Sequence, residues 1–410
     1  MTDATTRYPR AVRPQLAADL GIYPVVAVMG ARQVGKSTLC RQISEEFGLA
    51  SRTLDDRDVR EQALADPEGF LDELGDQGAF IDEVQRAPDL MLAIKAVVDR
   101  DQRKGQYLLS GSNQPRVGQA VSDSLLGRAA HRTLRPLTLS ELRFDEQHPG
   151  WSFLFGLDEK VVIEELQRRA ESSGALDWRS VVKTGGFPRV VAAVSENRLR
   201  LLDDYVEIFS RRDIRDIIAV DSTPRLETFV RLTAARTGQT LNVAGLSNEL
   251  GIPVTTVRRW VEALQRSYLI ELIPPYSRNP GQRVIKSPKL YSVDPALAIA
   301  AARETDPTGF HLETMVAHDL LVWKDGSPTR DLYHWRLGSG QEVDFVLEEQ
   351  GQLLPVEIKA ADAVGEAEAR HLTTFRDRHP NTTRGVLLSC DQRIRVLRPG
   401  IVACPWWAVV

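Results

Sequence analysis

In the first third of the chain, short apolar runs alternate with longer stretches of helical pattern, which is typical of buried strands that are joined by helices. Strand-like segments lie at residues 24–30, 51–56, 78–84 and 106–112, and each gap between them is long enough for a helix. Parallel strands need such crossover connections, because a tight turn joins only antiparallel neighbours. We therefore predict an α/β unit with a parallel sheet over residues 1–145.

A helical repeat replaces this pattern in the next part of the chain. Residues 159–173 and 196–218 carry apolar side chains every three to four positions, which is typical of amphipathic helices. A short turn at residues 185–189 separates the two stretches. These residues predict an all-helical lid region over residues 146–225.

Two helices with a glycine turn between them are predicted in the third segment. Residues 241–252 place apolar side chains on one helix face and end in the turn. The next helix, residues 254–266, buries its own apolar face at Val257, Val261 and Leu264. Because strand-like residues follow, this segment resembles a winged helix-turn-helix, which we place at residues 226–285.

The last part of the chain returns to a mixture of strands and helices. Prolines interrupt the chain just before it and indicate a linker. Strands are predicted at residues 333–337, 341–349, 353–360 and 385–390. The chain is therefore predicted to be an α/β multidomain protein with an α+β unit at residues 286–410.

Composition narrows the class of protein without identifying it. Of the 410 residues, 42% are hydrophobic and 26% charged, which excludes a small binding module and a mostly disordered or fibrous chain. No run reaches the roughly 18 apolar residues of a membrane span, and the N-terminus lacks a signal peptide core, so we expect a cytoplasmic protein. Three widely spaced cysteines argue against disulfides or a CxxC zinc site, so any metal should be held by oxygens.

The most specific motif is a complete GxxxxGK[ST] sequence at residues 30–37. It follows an apolar strand and opens a predicted helix, which is the context in which this motif holds phosphates. Lys36 would contact the β- and γ-phosphates of ATP, and the Ser37 hydroxyl would bind Mg²⁺. The candidate nucleotide-binding residues are Gly30, Arg32, Gln33, Val34, Gly35, Lys36, Ser37 and Thr38.

Carboxylates follow a second strand of the predicted sheet. Asp82 and Glu83 end the apolar run at residues 79–81, where Asp82 would hold the metal and Glu83 would polarise the attacking water. A solvated loop is the alternative interpretation of the pair. After a third strand, Asn113 is positioned to sense the γ-phosphate, although asparagine is also a common turn residue.

Two arginines outside this core are candidates for a catalytic arginine that acts on a neighbouring copy. Arg128 and Arg212 both lie in charged segments beyond the third strand. An arginine of this kind would require a dimer or a ring. The alternative is that each is an ordinary surface or ion-paired arginine.

Charge is unevenly distributed along the chain. The formal net charge is −4, yet residues 241–290 contain seven basic and three acidic residues, which gives a local +4. This sign fits contact with nucleic acid phosphates, and a role in structure or protein docking is the alternative. The candidate nucleic-acid-binding residues on the second helix of the helix-turn-helix are Thr255, Thr256, Arg258 and Arg259.

Acidic residues lie on two neighbouring strands of the C-terminal unit. Alternation predicts that Asp344 shares a strand face with Glu342, while Val343 and Phe345 point to the other face. Glu357 and Lys359 would share a face of the next strand, and a preceding helix carries Glu313. Together these groups predict a site for magnesium or manganese, with Asp344 and Glu357 as ligands. Salt-bridged strands, or a nuclease fold that has lost its chemistry, are the alternatives.

These motifs resemble those of bacterial and archaeal AAA-family ATPases of unknown function, over essentially the entire chain. The resembling segments include GARQVGKST, FIDEVQRAPDL, SLLGRAAHRTLRPLTLSEL, GGFPRVV and QEVDFVLE. The C-terminal domain of that family is similar to PD-(D/E)xK nucleases, which have a restriction-endonuclease-like fold. The resemblance implies ATP binding at Gly35, Lys36 and Ser37, hydrolysis through Asp82 and Glu83, and a nuclease-like metal site at Asp344, Glu357 and Lys359. Val343 stands where the nuclease motif has proline.

We therefore expect an ATPase that uses ATP and Mg²⁺ and repositions a winged helix and a nuclease-like unit on DNA, as a homo-oligomer. A nucleotide-dependent switch or scaffold is the alternative, in which the C-terminal unit binds protein partners and does not cleave. In a third interpretation, nucleic acid cleavage is the main activity and ATP binding permits it.

Overall fold

The structure is a computed structural model, and it describes residues 7–112, 125, 127–145, 150–156, 158–211, 214, 223–277, 287–338 and 340–410. Statements about absence below refer to these residues.

A five-stranded parallel sheet forms the N-terminal unit. Its strand order is β2-β3-β4-β1-β5, so the strand that precedes the phosphate-binding motif lies between β4 and β5. The strands are β1 (Val25–Met29), β2 (Ala50–Thr53), β3 (Ala79–Asp82), β4 (Tyr107–Gly111) and β5 (Ala129–Thr133). The first four coincide with the predicted segments. The fifth was not predicted, because its half-buried residues form no apolar run.

Five helices connect and cover this sheet. They are α1 (Arg13–Leu20), α2 (Lys36–Phe47), α3 (Arg57–Ala65), α4 (Pro67–Glu73) and α5 (Leu90–Arg100). A 3-10 turn, Val84–Arg86, follows β3 directly. Because all strands run the same way, the residues after β1, β3 and β4 meet at one edge of the sheet.

The middle of the chain is helical, with a small antiparallel sheet. Its helices are α6 (Leu139–Leu142), α7 (Glu159–Ser173), α8 (Trp178–Thr184), α9 (Pro188–Ala192), α10 (Ser195–Arg211), α11 (Thr223–Ala234), α12 (Val243–Leu250) and α13 (Val254–Arg266). The sheet has the order β6-β8-β7, with β6 (Gln239–Thr240), β7 (Ile270–Ile273) and β8 (Lys289–Ser292).

Strand β8 changes the predicted division of the chain. The predicted boundary at residues 285–286 lies outside the described residues, but β8 follows it and pairs with both β6 and β7. Its backbone hydrogen bonds therefore join residues 289–292 to the sheet of the middle unit and not to the C-terminal sheet.

The C-terminal unit is a six-stranded mixed sheet of order β13-β14-β12-β11-β10-β9. Strands β9 to β11 form an antiparallel meander, and β12 then returns parallel to β11. Its elements are α14 (Pro295–Ala302), α15 (Gly309–Asp325), β9 (Arg330–Arg336), β10 (Glu342–Glu349), β11 (Gln352–Lys359), α16 (Arg370–Arg378), β12 (Gly385–Ser389), β13 (Arg395–Arg398) and β14 (Ile401–Pro405).

A β-bulge in β10 corrects the predicted alternation of its side chains. Val343 pairs with Trp335 and Val346 with Tyr333, so β10 advances three residues while β9 advances two. As a result Val343 and Phe345, predicted on one face, pack in different hydrophobic clusters. Phe345 is the residue that leaves its predicted face, because Asp344 still shares the contact with Lys289 that Glu342 makes. Bulges of this kind are frequent near functional sites.

Hydrophobic packing joins the units. One cluster combines the N-terminal sheet with α10, α11 and α13, and a second combines α7, α8 and α15 with one face of the C-terminal sheet. Helix α16 covers the other face of that sheet. None of the helices in the described ranges is both long and apolar enough to cross a bilayer.

Candidate functional sites

The glycines of the phosphate-binding loop are required by its close packing. A Cβ atom at Gly30 would lie 2.2 Å from the Leu134 carbonyl oxygen, so only glycine fits there. Gly35 has φ of 98°, in the left-handed region, and immediately precedes α2, which has no side-chain cap at its N-terminus. The first backbone N–H groups of α2 are therefore available to an anion, as a phosphate site requires.

Lys36 is buried beneath this loop. Its Nζ donates to the backbone oxygens of Gly30 and Ala31, at 3.0 and 2.7 Å. Burial lowers the Lys36 pKa to about 8, although the nearby charges of Glu83 and Asp82 oppose the shift. An ammonium that is desolvated in this way gains most from an anionic ligand, because phosphate oxygens would restore its lost solvation.

Asp82 and Glu83 lie beside the loop at the end of β3. The Ser110 hydroxyl on β4 donates to Asp82, which holds this carboxylate against the end of the neighbouring strand. Glu83 has φ of 56°, and its carboxylate accepts a hydrogen bond from the Gln85 side-chain amide. A non-glycine residue in this conformation turns the chain sharply and directs the carboxylate away from the strand.

Several residues of this site were not predicted from the sequence. Arg10 is buried, donates to the Val34 carbonyl oxygen at 2.8 Å and pairs with Glu141 at 3.4 Å, so it supports the loop from behind. Ser110 and Gln85 position the two carboxylates. These residue types are common in ordinary turns and strands, so the sequence contains no signal that would single them out.

A cavity of about 760 Å³ opens next to the loop, between α2 and the helical region. Gly35 and Thr38 border one side, Tyr8 borders another, and Arg189 and Arg200 lie on the helical side. Its size is in the range of small-molecule and nucleotide sites. The sequence analysis assigned no site residue to the GGFPR turn, whereas its Arg189 lines this cavity.

Gly186 and Asp294 hold that turn in place. The Gly186 N–H donates to Asp294 Oδ2 at 2.6 Å, and its carbonyl accepts from the Leu137 N–H at 2.7 Å. Asp294 is fully buried, which raises its pKa to about 6 in spite of its backbone hydrogen bonds. The turn is therefore clamped between α6 and α14.

Of the candidate arginines, only Arg128 lies in the described part of the chain, and it does not join this site. Arg128 immediately precedes β5 and pairs with Asp99 at 2.5 Å. Because β1 and β5 are parallel, Arg128 lies at the edge of the sheet opposite the phosphate-binding loop. Asn113 and Arg212 lie outside the described residues.

The C-terminal carboxylates come together, with a lysine between them. We call Glu313, Glu342, Asp344 and Glu357 the carboxylate cluster. Lys289 on β8 places its Nζ 2.9 Å from Glu313, 2.7 Å from Glu342 and 3.1 Å from Asp344. Sequence reasoning had counted Lys289 among the basic residues for nucleic acid, but its side chain is only 3% exposed.

Two further oxygens of the cluster are held by neighbouring groups. The Ile358 N–H donates to Asp344 Oδ2 at 2.9 Å, and Lys359 Nζ donates to Glu357 Oε1 at 2.6 Å. Burial is the main cause that raises the pKa of both Glu313 and Glu357, and the nearby Asp344 carboxylate adds to it.

The predicted divalent metal does not fit this arrangement. Within the described ranges, no group of three or more histidine, cysteine, aspartate or glutamate side chains is placed to hold a metal ion. The position shared by three of the carboxylates is taken by the Lys289 ammonium.

Helix α13, the second helix of the predicted helix-turn-helix, presents part of its predicted polar face to solvent. Thr255, Arg258 and Arg259 are exposed and Thr256 is half-buried, while Val257, Val261 and Leu264 are buried. The basic residues at positions 278, 283 and 286 lie outside the described residues. Arg266 pairs with Glu262 on its own helix.

Comparison with known proteins divides the chain into three matched regions. Residues 23–143 match a family model described as an AAA domain. Residues 175–308 and 308–409 match models that are each described as a domain of unknown function.

Similar whole chains are also known. Uncharacterized proteins of Mycobacterium bovis and Mycobacterium tuberculosis are each 29% identical over 346 residues, which is 82% of this chain and 70% of theirs. Among solved structures, the Walker-type ATPase PABY2304 of Pyrococcus abyssi aligns with 70% of this chain and 94% of its own, at 16% identity and a TM-score of 0.40.

The AAA match covers all five strands of the parallel sheet, the phosphate-binding loop, Asp82 and Glu83. ATP and Mg²⁺ are the ligands that this class of domain implies, and the uncapped start of α2, the buried Lys36 and the adjoining cavity fit them. Residues 23–143 therefore match an AAA domain and contain its P-loop.

Proposed function

We propose that this protein hydrolyses ATP at the P-loop and uses the cycle to reposition its middle and C-terminal units on nucleic acid. The observation that carries the proposal is the convergence of Lys36, Asp82 and Glu83 at the loop, whose Gly35 borders a cavity with the helical region on its opposite side. A ligand in that cavity would contact both units at once. Its hydrolysis would therefore change their contacts.

The roles of the residues follow from their positions. The Lys36 ammonium would leave the backbone oxygens of Gly30 and Ala31 to bind the β- and γ-phosphates. Ser37 and Asp82 would hold Mg²⁺, which when bound offsets the charge that develops on the phosphates. Glu83 would orient and deprotonate the attacking water, with Gln85 fixing its carboxylate. Arg189 would contact the nucleotide from the helical side.

ATP affinity is expected to fall as the pH rises above about 8. Lys36 must be charged to bind phosphate, but burial lowers its pKa to about 8 in the free protein, so above this pH binding requires uptake of a proton. The expected slope approaches tenfold in dissociation constant per pH unit. Titration with a fluorescent ATP analogue between pH 7 and 9.5 measures it. Lys36→Met should bind more weakly and without this slope; an equal slope in that variant contradicts the assignment.

Nucleic acid is proposed as the partner because Arg258 and Arg259 are exposed on a helix that follows a glycine turn. The opposite face of this helix packs through Val257, Trp260 and Val261, so both arginines project from a firmly held element. A rigid helix with an exposed basic face is a common way to engage a phosphate backbone.

DNA is expected to stimulate ATP turnover, and the double variant Arg258→Ala/Arg259→Ala should lose most of that stimulation. Turnover is measured without DNA and with single-stranded, duplex and branched DNA, each variant being referred to its own DNA-free rate. The slope of log affinity against log salt should fall by about 2, since each phosphate contact contributes about 0.9.

The matched control for this experiment is Arg103→Ala/Arg168→Ala, which removes the same charge from two exposed positions elsewhere. It should keep both the stimulation and the salt slope. If no DNA alters turnover and binding is undetectable at low salt, the nucleic acid part of the proposal is wrong, while ATP hydrolysis is judged separately from the DNA-free rate.

We propose assembly as well, because Arg128 lies at the edge of the sheet opposite its own P-loop. Arg128 could act only on the site of a neighbouring copy, and it would first have to leave Asp99. For the C-terminal unit, the position of Lys289 favours a binding role over cleavage with Mg²⁺ or Mn²⁺.

A further inference from the structure

The contacts of Lys289 are those of a bound cation. Its ammonium has three N–H donors, and three carboxylate oxygens lie within 3.1 Å of Nζ, from Glu313, Glu342 and Asp344. Tyr291, two residues further along β8, donates its hydroxyl hydrogen to Glu313 Oε1 at 2.6 Å. One strand of the middle unit therefore supplies two donors to acids of the C-terminal unit.

The backbone around Lys289 is held from both sides. Lys289 pairs with Thr240 on β6 and with Ile273 on β7, so β8 is the central strand of its sheet. All four residues of β8 are buried. Withdrawal of the ammonium would leave it buried away from its carboxylates, and Glu313 and Asp344 would keep only the hydrogen bonds from Tyr291 and from the Ile358 N–H.

The balance of opposite charges stabilises the contacts between Lys289 and the carboxylate cluster. The carboxylate cluster has four acids, and two ammonium groups, Lys289 and Lys359, lie among them. The three carboxylate oxygens within 3.1 Å of Nζ favour the charged form of Lys289.

One atom of the cluster is left without a partner. Glu357 is 4% exposed, and in the described part of the chain its Oε2 has no hydrogen bond. Such an atom marks where a further cation or a proton would be accepted. A divalent ion bound there and to Asp344 would face the Lys289 ammonium, which already occupies the other oxygen of Asp344.

We propose that the Lys289 ammonium is the resident cation of the carboxylate cluster, where it joins β8 of the middle unit to α15 and β10 and excludes a divalent metal. The C-terminal unit of the natural protein therefore has no metal-dependent nuclease activity. The same geometry makes the cluster a latent metal site that opens when the ammonium is removed.

The test is Mn²⁺ binding to the full chain without nucleotide, followed by electron paramagnetic resonance. The natural protein and Asp344→Asn should bind Mn²⁺ equally, because any binding would occur elsewhere, such as at Ser37 and Asp82. Lys289→Met, whose side chain is unbranched like that of lysine but uncharged and one atom shorter, should gain one Mn²⁺ per chain with at least tenfold higher affinity. The gain should disappear in Lys289→Met/Asp344→Asn.

Lys324→Met is the matched control, since it removes a lysine charge from α15 away from the cluster, and it should gain nothing. The proposal is overturned if the natural protein binds Mn²⁺ and both Asp344→Asn and Glu357→Gln lose that binding. It is also overturned if the natural protein nicks plasmid DNA with a divalent metal and both variants lose that activity. A folded Lys289→Met without added Mn²⁺ binding also overturns it. If Lys289→Met does not fold, the comparison of the natural protein with the Asp344 and Glu357 variants decides.

Discussion

Lys36→Ala is expected to reduce ATP turnover at least a hundredfold. Lys36 is the one lysine of the P-loop motif, and its ammonium is already desolvated beneath the loop, so its loss removes the main positive side chain available to the β- and γ-phosphates. Loss of a single preorganised donor to a developing oxyanion costs about 10²- to 10³-fold in rate. Phosphate release, measured at saturating ATP and Mg²⁺, gives the value directly.

Two further variants show whether the loss comes from the ammonium itself. Lys104→Ala removes a lysine from an exposed turn of the same unit and should leave turnover unchanged. Lys36→Arg keeps the charge but places a larger planar group in a buried slot, so we expect a large loss here also. Turnover of Lys36→Ala within a factor of two of the natural protein would refute hydrolysis at this loop.

Gly186→Ala is expected to destabilise the protein by about 3 kcal/mol and to lower ATP turnover as well. The added Cβ would lie 2.2 Å from the Leu137 carbonyl oxygen, and that atom is backbone that cannot rotate away. Overpacking of this kind typically costs about 1–3 kcal/mol, and here the nearest atoms all belong to the Leu137 backbone. Displacing the turn would also move Arg189 away from the P-loop cavity.

Denaturant unfolding and ATP turnover measure the two effects of this substitution. Gly309→Ala is the matched control, because a Cβ there would lie 3.6 Å from the Ala360 Cβ, which is an ordinary contact. The control should keep its unfolding midpoint within experimental error. An unchanged midpoint for Gly186→Ala would show that α6 and the turn can separate at little cost.

The N-terminal unit was largely predictable because its signals are local. A strand such as Val25–Met29 is buried along its whole length and therefore consists of apolar residues only. The motif that follows needs glycine where the backbone is crowded, as at Gly30, and lysine where phosphate binds. Residue type and spacing alone specify these features, so their approximate positions could be predicted from the sequence.

The C-terminal site was only partly predictable because its geometry depends on pairing. The strands that carry Asp344 and Glu357 were identified. The bulge that separates Val343 from Phe345 could not be identified, since it arises from the offset between β9 and β10. Alternation holds only while the register is regular.

Lys289 shows the limit of reasoning from local charge. By sequence it belongs to a segment of net charge +4, which suggested contact with phosphates. In the structure it lies on a central strand and pairs with acids 24 to 55 residues further along the chain. The packing of whole units determines a side chain's partners at such separations along the chain. The composition of a segment does not predict that packing.

The sequence by itself determined the parallel-sheet unit, its phosphate-binding loop and the two carboxylates beside it, because each depends on residues that are close together along the chain. Only the tertiary structure decided that Arg189 faces the P-loop cavity, that Arg128 lies at the far edge of the sheet, and that Lys289 occupies the carboxylate cluster. Those three outcomes depend on contacts between distant segments, which form only when the units pack against one another.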